Sequence, residues 1–340
     1  MSERECSELR SLIDNSETIV LCCHVNADGD ALGAMLGWAE VLKALGKEPL
    51  MVAPDQFPDY LKWLPNQEKI VRYDRRKDYV NAVLKIADTV FCLDFNTLSR
   101  TDAMEDALKA TKAKKVLIDH HLEPDVDAVL TFSHPEMSST CELVFRLVWQ
   151  MGMFEQLGKH FAVPVYCGMM TDTGAFTYNS TKPEIFLIIA YLLAKNIDKD
   201  KIYRNIYHVF SVDKLRLWGY VMNKSLKVKY PPHHASYFAL SKEDMKKYHF
   251  KKGDAEGLVN VPLKILDHKL SISLREDTEK NNLVWVSARS VDDFPCDEMA
   301  ARFFNGGGHK NAAGGRLECS LKEAEEIVDK TIKAYADKLK

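Results

Sequence analysis

The sequence predicts an α/β protein: an N-terminal parallel sheet wrapped by helices, followed by a smaller C-terminal α/β domain. Three observations carry that reading. In the first half, short runs rich in Val, Ile, Leu and Phe alternate with stretches of helical spacing, the pattern of strand–helix–strand units. Those runs lack strict apolar–polar alternation, as expected of strands buried on both faces. At 340 residues, the chain also exceeds what one ordinary core organises.

Strands are expected at 18–23, 49–53, 89–93, 115–118 and 128–132, with helices at 31–45, 79–87 and 103–111 between them. From residue 139 the pattern turns helical, over 139–151, 159–170, 183–195 and 199–223, with Pro183 at a favourable first-turn position. Tyr230-Pro231-Pro232-His233-His234 then breaks the chain. Beyond it, 235–240, 270–275 and 283–288 alternate as strands, and 296–304 and 321–338 read as helices. The expected division is a first domain over 1–195, a helical linker over 196–226 and a second domain over 227–340.

Apolar residues make up 46% and charged residues 28%, a globular balance. The net charge of −3 excludes a protein that coats long duplex nucleic acid through a broad basic face, which needs many phosphate contacts. A small anion held by a few local cations is compatible with it. The eight cysteines lie scattered in apolar stretches, among them Cys22, Cys23, Cys92, Cys141 and Cys167, and read as reduced thiols rather than a disulfide framework. The opening MSERECSELRSLIDNSE has no apolar signal core, and the longest apolar run, 185–194, is about half a membrane span. A cytoplasmic protein without membrane contact is expected.

Four segments carry chemistry. His24-Val25-Asn26-Ala27-Asp28-Gly29-Asp30 follows the first strand, Asp94 follows 89–93, Asp119-His120-His121 closes 115–118, and Thr171-Asp172-Thr173-Gly174 closes a helix. Three of the four stand where a parallel strand ends, and in open α/β sheets the ligand crevice lies outside those carboxyl ends. Asp28, Asp30, Asp94 and Asp172 would then share one crevice. Like charges at short range raise each other's pKa, so four carboxylates call for balancing cations. Carboxylates with neutral imidazoles suit two divalent ions, Mn²⁺ or Mg²⁺, and the imidazoles favour Mn²⁺. No cysteine joins the set, against a structural zinc centre. The competing reading makes the Asn-Ala-Asp-Gly-Asp loop a helix N-cap and the His-His pair surface decoration. It accounts for each segment alone but not for all four in order.

With these segments in order, the chain resembles the DHH phosphoesterase family, whose name-giving motif stands here as Asp119-His120-His121. Phe303-Phe304-Asn305-Gly306-Gly307-Gly308-His309, followed by Ala312-Ala313-Gly314-Gly315, resembles the Gly-Gly-Gly-His signature of the DHH-associated C-terminal domain. The likeness runs over nearly the whole chain. It implies a metal-binding catalytic domain, a substrate-binding domain and an active-site cleft between them. It implies one metal held by His24, Asp28 and Asp94, and a second held by Asp30, Asp94, His120 and Asp172, with Asp94 shared. His121 would face the substrate phosphate as a catalytic group, and Asp119 would orient it. The implied reaction is two-metal hydrolysis by an activated water, with His121 stabilising the phosphate or protonating the leaving oxygen.

On the substrate side, consecutive glycines let backbone N–H groups approach a phosphate, so a loop at Gly306–His309, including Gly307, Gly308 and the His309 side chain, is expected to bind one. The resemblance adds Arg289 and Arg100, whose guanidinium forks suit phosphate. Arg75-Arg76-Lys77 reads as a solvated face, His233 and His234 as linker, and the five tryptophans as packing.

Within the family, the chain resembles small cytoplasmic bifunctional enzymes that degrade oligoribonucleotides of a few residues (nanoRNA) and remove the 3′-phosphate of 3′-phosphoadenosine 5′-phosphate. RecJ-type exonucleases carry extra domains, cyclic-dinucleotide phosphodiesterases carry membrane segments, and the related pyrophosphatases end in a different domain. The expected function is a metal-dependent phosphoesterase acting on short single-stranded oligonucleotides or small nucleotides. The alternatives are a pyrophosphatase or polyphosphatase, a cyclic- or linear-dinucleotide phosphodiesterase, and a nucleotide-binding regulator with a relic site. The resemblance also implies a homodimer.

Overall fold

The computed structural model describes residues 2–229, 234–251 and 253–340, so all but His234 of the anticipated break at 230–234 lies outside the described residues. The chain divides into two compact units, Met1–Val209 and Phe210–Lys340.

In chain order the first unit comprises α1 (Glu3–Asp14), β1 (Ile19–Cys22), α2 (Gly29–Ala44), β2 (Leu50–Ala53), β3 (Val71–Arg72), α3 (Tyr73–Ile86), β4 (Thr89–Leu93) and α4 (Glu105–Ala110). It continues with β5 (Lys114–Asp119), β6 (Leu130–Ser133), α5 (Thr140–Gln150), α6 (Lys159–Asp172), α7 (Pro183–Ala194) and α8 (Lys199–Tyr207). Its sheet runs β3-β2-β1-β4-β5-β6 with every pairing parallel. Strand order reverses between β1 and β4, which pair from Ile19↔Thr89 to Cys22↔Cys92. That reversal opens a crevice at the carboxyl ends of β1, β4 and β5. β1 and β4 are buried throughout, because helices cover both faces. Leu21, Phe91 and Ile118 pack with α2, α5 and α6 on one side; Val20, Val90 and Leu117 pack with Val80, Leu84 and Leu108 of α3 and α4 on the other.

Several elements differ from expectation, among them the two-residue edge strand β3, for which no strand was expected. The polar N-terminus forms α1, started by a capping box in which Ser2 accepts from the Glu5 N–H and Glu5 accepts from the Ser2 N–H. The helix expected over 199–223 is two helices, because Ser211 caps a new one by accepting from the Lys214 N–H.

Nearly every residue of α2 is buried, and the reason is its close approach to α6. Gly29, Gly33 and Gly37 fall four residues apart on one face. A methyl at Gly33 would lie 2.5 Å from the Pro164 carbonyl oxygen and 2.8 Å from Cys141 Sγ. Gly29 meets Thr171 and Gly37 meets Val165, so the two helices run antiparallel. Gly168 of α6 answers from the other side: a methyl there would collide with Cys141 Sγ and lie 2.9 Å from Asp30 Oδ1. The start of α2 and the end of α6 thereby meet at the crevice.

The second unit comprises α9 (Val212–Tyr220), β7 (Lys227–Lys229), β8 (Ala235–Leu240), α10 (Lys242–Lys247), β9 (Leu270–Glu276), β10 (Val284–Ser290), α11 (Cys296–Phe303), β11 (Gly307–His309), β12 (Ala312–Leu317) and α12 (Leu321–Ala334). Its mixed sheet runs β11-β12-β10-β9-β8-β7, parallel only between β8 and β9. Ile272, Leu274, Val286 and Ala288 pack against Met299 and Phe304 at α11 and against Val328 and Ile332 of α12. Phe238 and Leu240 pack the opposite way, with Leu217, Val221 and Leu258. β8 and β9 are therefore buried on both faces instead of alternating. The glycine-rich segment expected as a loop is the edge strand β11, paired to β12 from Gly307↔Gly314 to His309↔Ala312.

Replacing Gly168 by Ala tests the α2–α6 seam. Helix propensity alone would stabilise the chain by about 0.5–1 kcal/mol. The collision with Cys141 and Asp30 is expected to dominate and destabilise by about 1–3 kcal/mol, read from the denaturant midpoint. A stabilised variant would show that the seam has room.

Candidate metal centre

The polypeptide leaves β1 at Cys22 and reaches His24, which is buried, within two residues. Its Nδ1 stands 2.7 Å from the Val25 carbonyl oxygen, which only accepts, so Nδ1 carries the proton. Nε2 is thereby left facing Asp94 Oδ2 at 3.4 Å, donating to it while the ring is charged and offering a lone pair once that proton is displaced. Asp94 departs β4 in the left-handed region (φ 64), a conformation Asp tolerates better than most residues. Asp28 is both N-cap and cluster member: its Oδ1 accepts from the N–H groups of Asp30 and Ala31 at 2.9 and 3.0 Å, and the carboxylate lies with His24 and Asp94. The two readings of that loop are compatible.

Asp30 sits on the first turn of α2, 1% exposed, against the N-terminus of α5. Its Oδ2 accepts from the Thr140 N–H at 2.6 Å and its Oδ1 from the Cys141 N–H at 2.9 Å. The Thr140 hydroxyl donates to Asp94 Oδ1 at 2.8 Å. One helix start thus holds both acids. The turn before it is fixed in its own right: buried Glu142 accepts from the Ser138 N–H and hydroxyl and from Arg146 Nε, and Ser139 caps α5. Sequence reasoning missed Thr140. Its signal was Ser139-Thr140-Cys141-Glu142, a helix-start pattern whose exposed N–H groups and dipole favour anions.

His120 follows β5 with Nδ1 3.3 Å from the Met137 carbonyl oxygen, which turns Nε2 inward. That nitrogen stands 3.3 Å from Asp172 Oδ2, 3.8 Å from Asp94 Oδ1 and 3.9 Å from Asp30 Oδ2. Asp172 is the last residue of α6. His121 is clamped: Nδ1 donates to Asp119 Oδ1 at 2.7 Å, and Arg100 donates to Nε2 at 2.9 Å. Arg100 is tied back to the first segment, its carbonyl accepting from the Val25 N–H. The structure therefore gathers His24, Asp28, Asp30, Asp94, Asp119, His120, His121, Asp172 and Arg100 at the crevice.

Three groups within it could each hold a metal ion: His24, Asp28 and Asp94; Asp94, His120 and His121; Asp30, His120 and Asp172. In each group the donor atoms lie within 4.8 Å of one another. The electrostatics agree. Burial, then the charge of Asp94, pushes Asp30 up to about 7. Burial, then Asp30, Asp28 and Asp94, pushes Asp172 well above the carboxylate range. Burial opposes the charged form of Asp94, yet its contacts with His24, His120 and His121 hold it well below that range. Burial likewise opposes a charged His24, and the hydrogen bond and charge of Asp94 outweigh it, raising the ring to about 9. Even with the donors of α5 and the imidazoles, Asp30 and Asp172 retain their protons to higher pH than an ordinary carboxylate. A divalent cation would replace those protons, and carboxylate oxygens with imidazole nitrogens are donors of the kind Mn²⁺ and Mg²⁺ accept.

The other residues expected to contact substrate, Arg289, Gly307, Gly308 and His309, lie in the second unit. Arg289 pairs across the sheet with Ala312, and Ala312 with His309. Paired residues share a face, so Arg289 and His309 stand two strands apart on one face, about 10 Å between backbones. It is the face away from Ala288, which packs on α11 and α12. Gly308 has φ 144, and a methyl there would lie 2.6 Å from the Ala312 carbonyl oxygen, so only glycine fits.

Residues 18–169 match the DHH family, N-terminal domain, and residues 236–337 match the DHHA1 domain. The chain belongs to the DHH family. As a DHH phosphoesterase it is a hydrolase of phosphate esters. One DHH relative, the bifunctional oligoribonuclease and PAP phosphatase NrnA of Thermus thermophilus, is 28% identical over 91% of this chain and 87% of its own. The Bacillus subtilis protein of the same name is 23% identical over 95% and 96%. Among solved structures, an exopolyphosphatase-related protein from Bacteroides fragilis is 43% identical with a TM-score of 0.96, covering 99% of this chain and 98% of that one.

Thr140→Val removes the hydroxyl donor to Asp94 while preserving side-chain shape. Manganese affinity, measured by calorimetry, is expected to fall roughly 10–100-fold, the usual cost of losing a group that orients a metal ligand. Unchanged affinity would show that the hydroxyl does not hold Asp94 in place.

Proposed function

We propose that this chain is a two-metal phosphoesterase that hydrolyses short oligoribonucleotides and 3′-phosphoadenosine 5′-phosphate. One observation carries the reading: Asp94 belongs at once to the His24–Asp28 group and to the His120–His121 group, with Asp30 and Asp172 completing a further set around His120. One ion would be held by His24, Asp28 and Asp94, and the other by Asp30, Asp94, His120 and Asp172. Manganese suits these mixed donors better than magnesium, because imidazole favours the softer ion. Such a pair, when bound, lowers the pKa of water and draws charge from phosphoryl oxygens.

The chain's own groups do the rest. His121 donates from Nδ1 to Asp119, and Arg100 donates to Nε2, so Nε2 acts as an acceptor in this arrangement. Arg100 is then the positive partner for an incoming phosphate, and Nε2 turns donor only once the guanidinium leaves it. The second unit, 227–340 in this reading, is the substrate domain. Arg289 and His309 share a sheet face suited to a terminal phosphate, and the backbone of Gly307 and Gly308 adds N–H groups. The NrnA relatives support oligoribonucleotides and 3′-phosphoadenosine 5′-phosphate as substrates. Short single strands also suit the net charge of −3. Among the described residues, no helix is long and apolar enough to cross a membrane, and we place the enzyme in the cytoplasm. A second reading, action on polyphosphate or pyrophosphate, rests on the name of the 43%-identical Bacteroides fragilis protein.

The deciding experiment strips the protein of metal and assays it with and without Mn²⁺ on dinucleotides, 3′-phosphoadenosine 5′-phosphate, pyrophosphate and polyphosphate. Manganese is expected to restore turnover of the first two. Turnover confined to pyrophosphate or polyphosphate would overturn the reading in favour of the second. Asp94→Ala and Asp172→Ala are expected to reduce every activity to background. Arg289→Ala removes a charge-assisted contact worth about 1.5–3 kcal/mol and is expected to raise KM for dinucleotides about 10–100-fold with metal binding intact. An unchanged KM would remove Arg289 from the substrate site.

A further inference from the structure

Immediately beyond Asp172 the backbone does something costly. Gly174, Ala175 and Phe176 follow one another at φ 53, 60 and 63, three successive residues in the left-handed region. A glycine rests there easily; an alanine and a phenylalanine do not. The conformation persists because its surroundings over-determine it. The Ala175 N–H donates to the Met170 carbonyl at 2.8 Å, the Thr173 hydroxyl donates to the Met169 carbonyl and accepts from the Phe176 N–H, and Phe176 packs on Tyr166 with ring centres 5.6 Å apart. Strain held this firmly, next to an acid of the metal cluster, has a use elsewhere.

The turn presents Tyr178. The N–H groups of Thr177 and Tyr178 both donate to the Thr173 carbonyl, at 2.9 and 3.2 Å, so the root of Tyr178 lies beside the residue following Asp172. Its ring lies against Gly174, where a methyl would collide with it. The glycine therefore serves both the left-handed turn and the seating of the ring. The ring is nonetheless 57% exposed, in contrast to Phe176 and Tyr166. A large aromatic residue rooted two peptide contacts from Asp172 and exposed to this degree is what a nucleobase needs, because every base has a π-face to stack.

We propose that Tyr178 is a base-stacking residue, which the left-handed turn 174–176 holds beside the metal cluster so that the site takes nucleotides in preference to bare phosphates. This deepens the preceding reading and rests on it for the identity of the site.

Equilibrium binding by calorimetry, on the manganese-loaded full chain, tests it with adenosine 5′-monophosphate and ribose 5-phosphate, which differ in the base. The wild type is expected to favour the nucleotide about 10-fold, a typical stacking contribution. Tyr178→Phe is expected to keep the preference, and Tyr178→Leu, which supplies apolar volume without a π-face, to lose it. No preference in the wild type, or an equal preference in Tyr178→Leu, overturns the proposal. Dinucleotide turnover, measured on the same wild-type sample, separates the two readings. Turnover without base preference sinks the role of Tyr178 alone, and base preference without turnover sinks the proposed reaction alone.

Discussion

The approach of α2 to α6 is the constraint on which the crevice depends. Asp28 and Asp30 start one helix, and Asp172 ends the other. Glycines at 29, 33 and 37, met by Gly168, let the helices lie closer than any side chain allows. Because the pair is antiparallel, the N-terminus of α2 falls beside the C-terminus of α6. Acids some 140 residues apart in sequence become neighbours through backbone contact rather than mutual attraction, which four carboxylates do not have. The sheet supplies the other half: β1, β4 and β5 end side by side where strand order reverses, and each hands over a ligand-type residue at its carboxyl end.

Repulsion among these acids is managed before any cation arrives. α5 aims its N-terminus at them, giving Asp30 two N–H donors and Asp94 a hydroxyl. Three imidazoles lower the charged form of Asp94 in energy, while Asp30 and Asp172 keep their protons to higher pH. The protein thus orients the donors with backbone N–H groups, a hydroxyl and imidazoles, and a divalent cation could supply the charge that remains. Full neutralisation by lysine or arginine would hold the acids as well and would take the place of the ions.

Much of this arrangement was legible in the sequence. Buried strands announce themselves as Val- and Leu-rich runs, and their carboxyl ends are where His24, Asp94 and Asp119-His120-His121 stand. The parts that escaped share a physical character. β3 is two residues at a sheet edge, too short to show a period. α1 depends on a capping box rather than on an apolar stripe that stands out in so polar a segment. Thr140 acts through a hydroxyl and a backbone N–H, groups that periodicity does not weigh. The glycine stripe of α2 reads as a weakness in an isolated helix and becomes an advantage only when a partner approaches closely. The Gly-Gly-Gly-His segment was expected as a loop for the same reason: glycine signals freedom, but here it signals crowding against β12.

That crowding bears on the proposed recognition of a phosphate by the second unit. A flexible glycine loop would wrap an anion wherever it lay. An edge strand fixed in register cannot wrap; in the proposed role it would offer side chains placed along the pleat together with the backbone N–H groups of Gly307 and Gly308. Arg289 and His309 are aligned through Ala312, the residue paired with both. Gly308, confined to φ 144 and backed by the Ala312 carbonyl, fixes the backbone one residue before His309 and so fixes where its ring begins. Substituting Gly306 or Gly308, where a methyl would collide with β12, should therefore be felt through the position of His309 rather than through lost mobility; Gly307 has open space beside it. Rigidity, more than glycine's pliancy, is what this signature contributes.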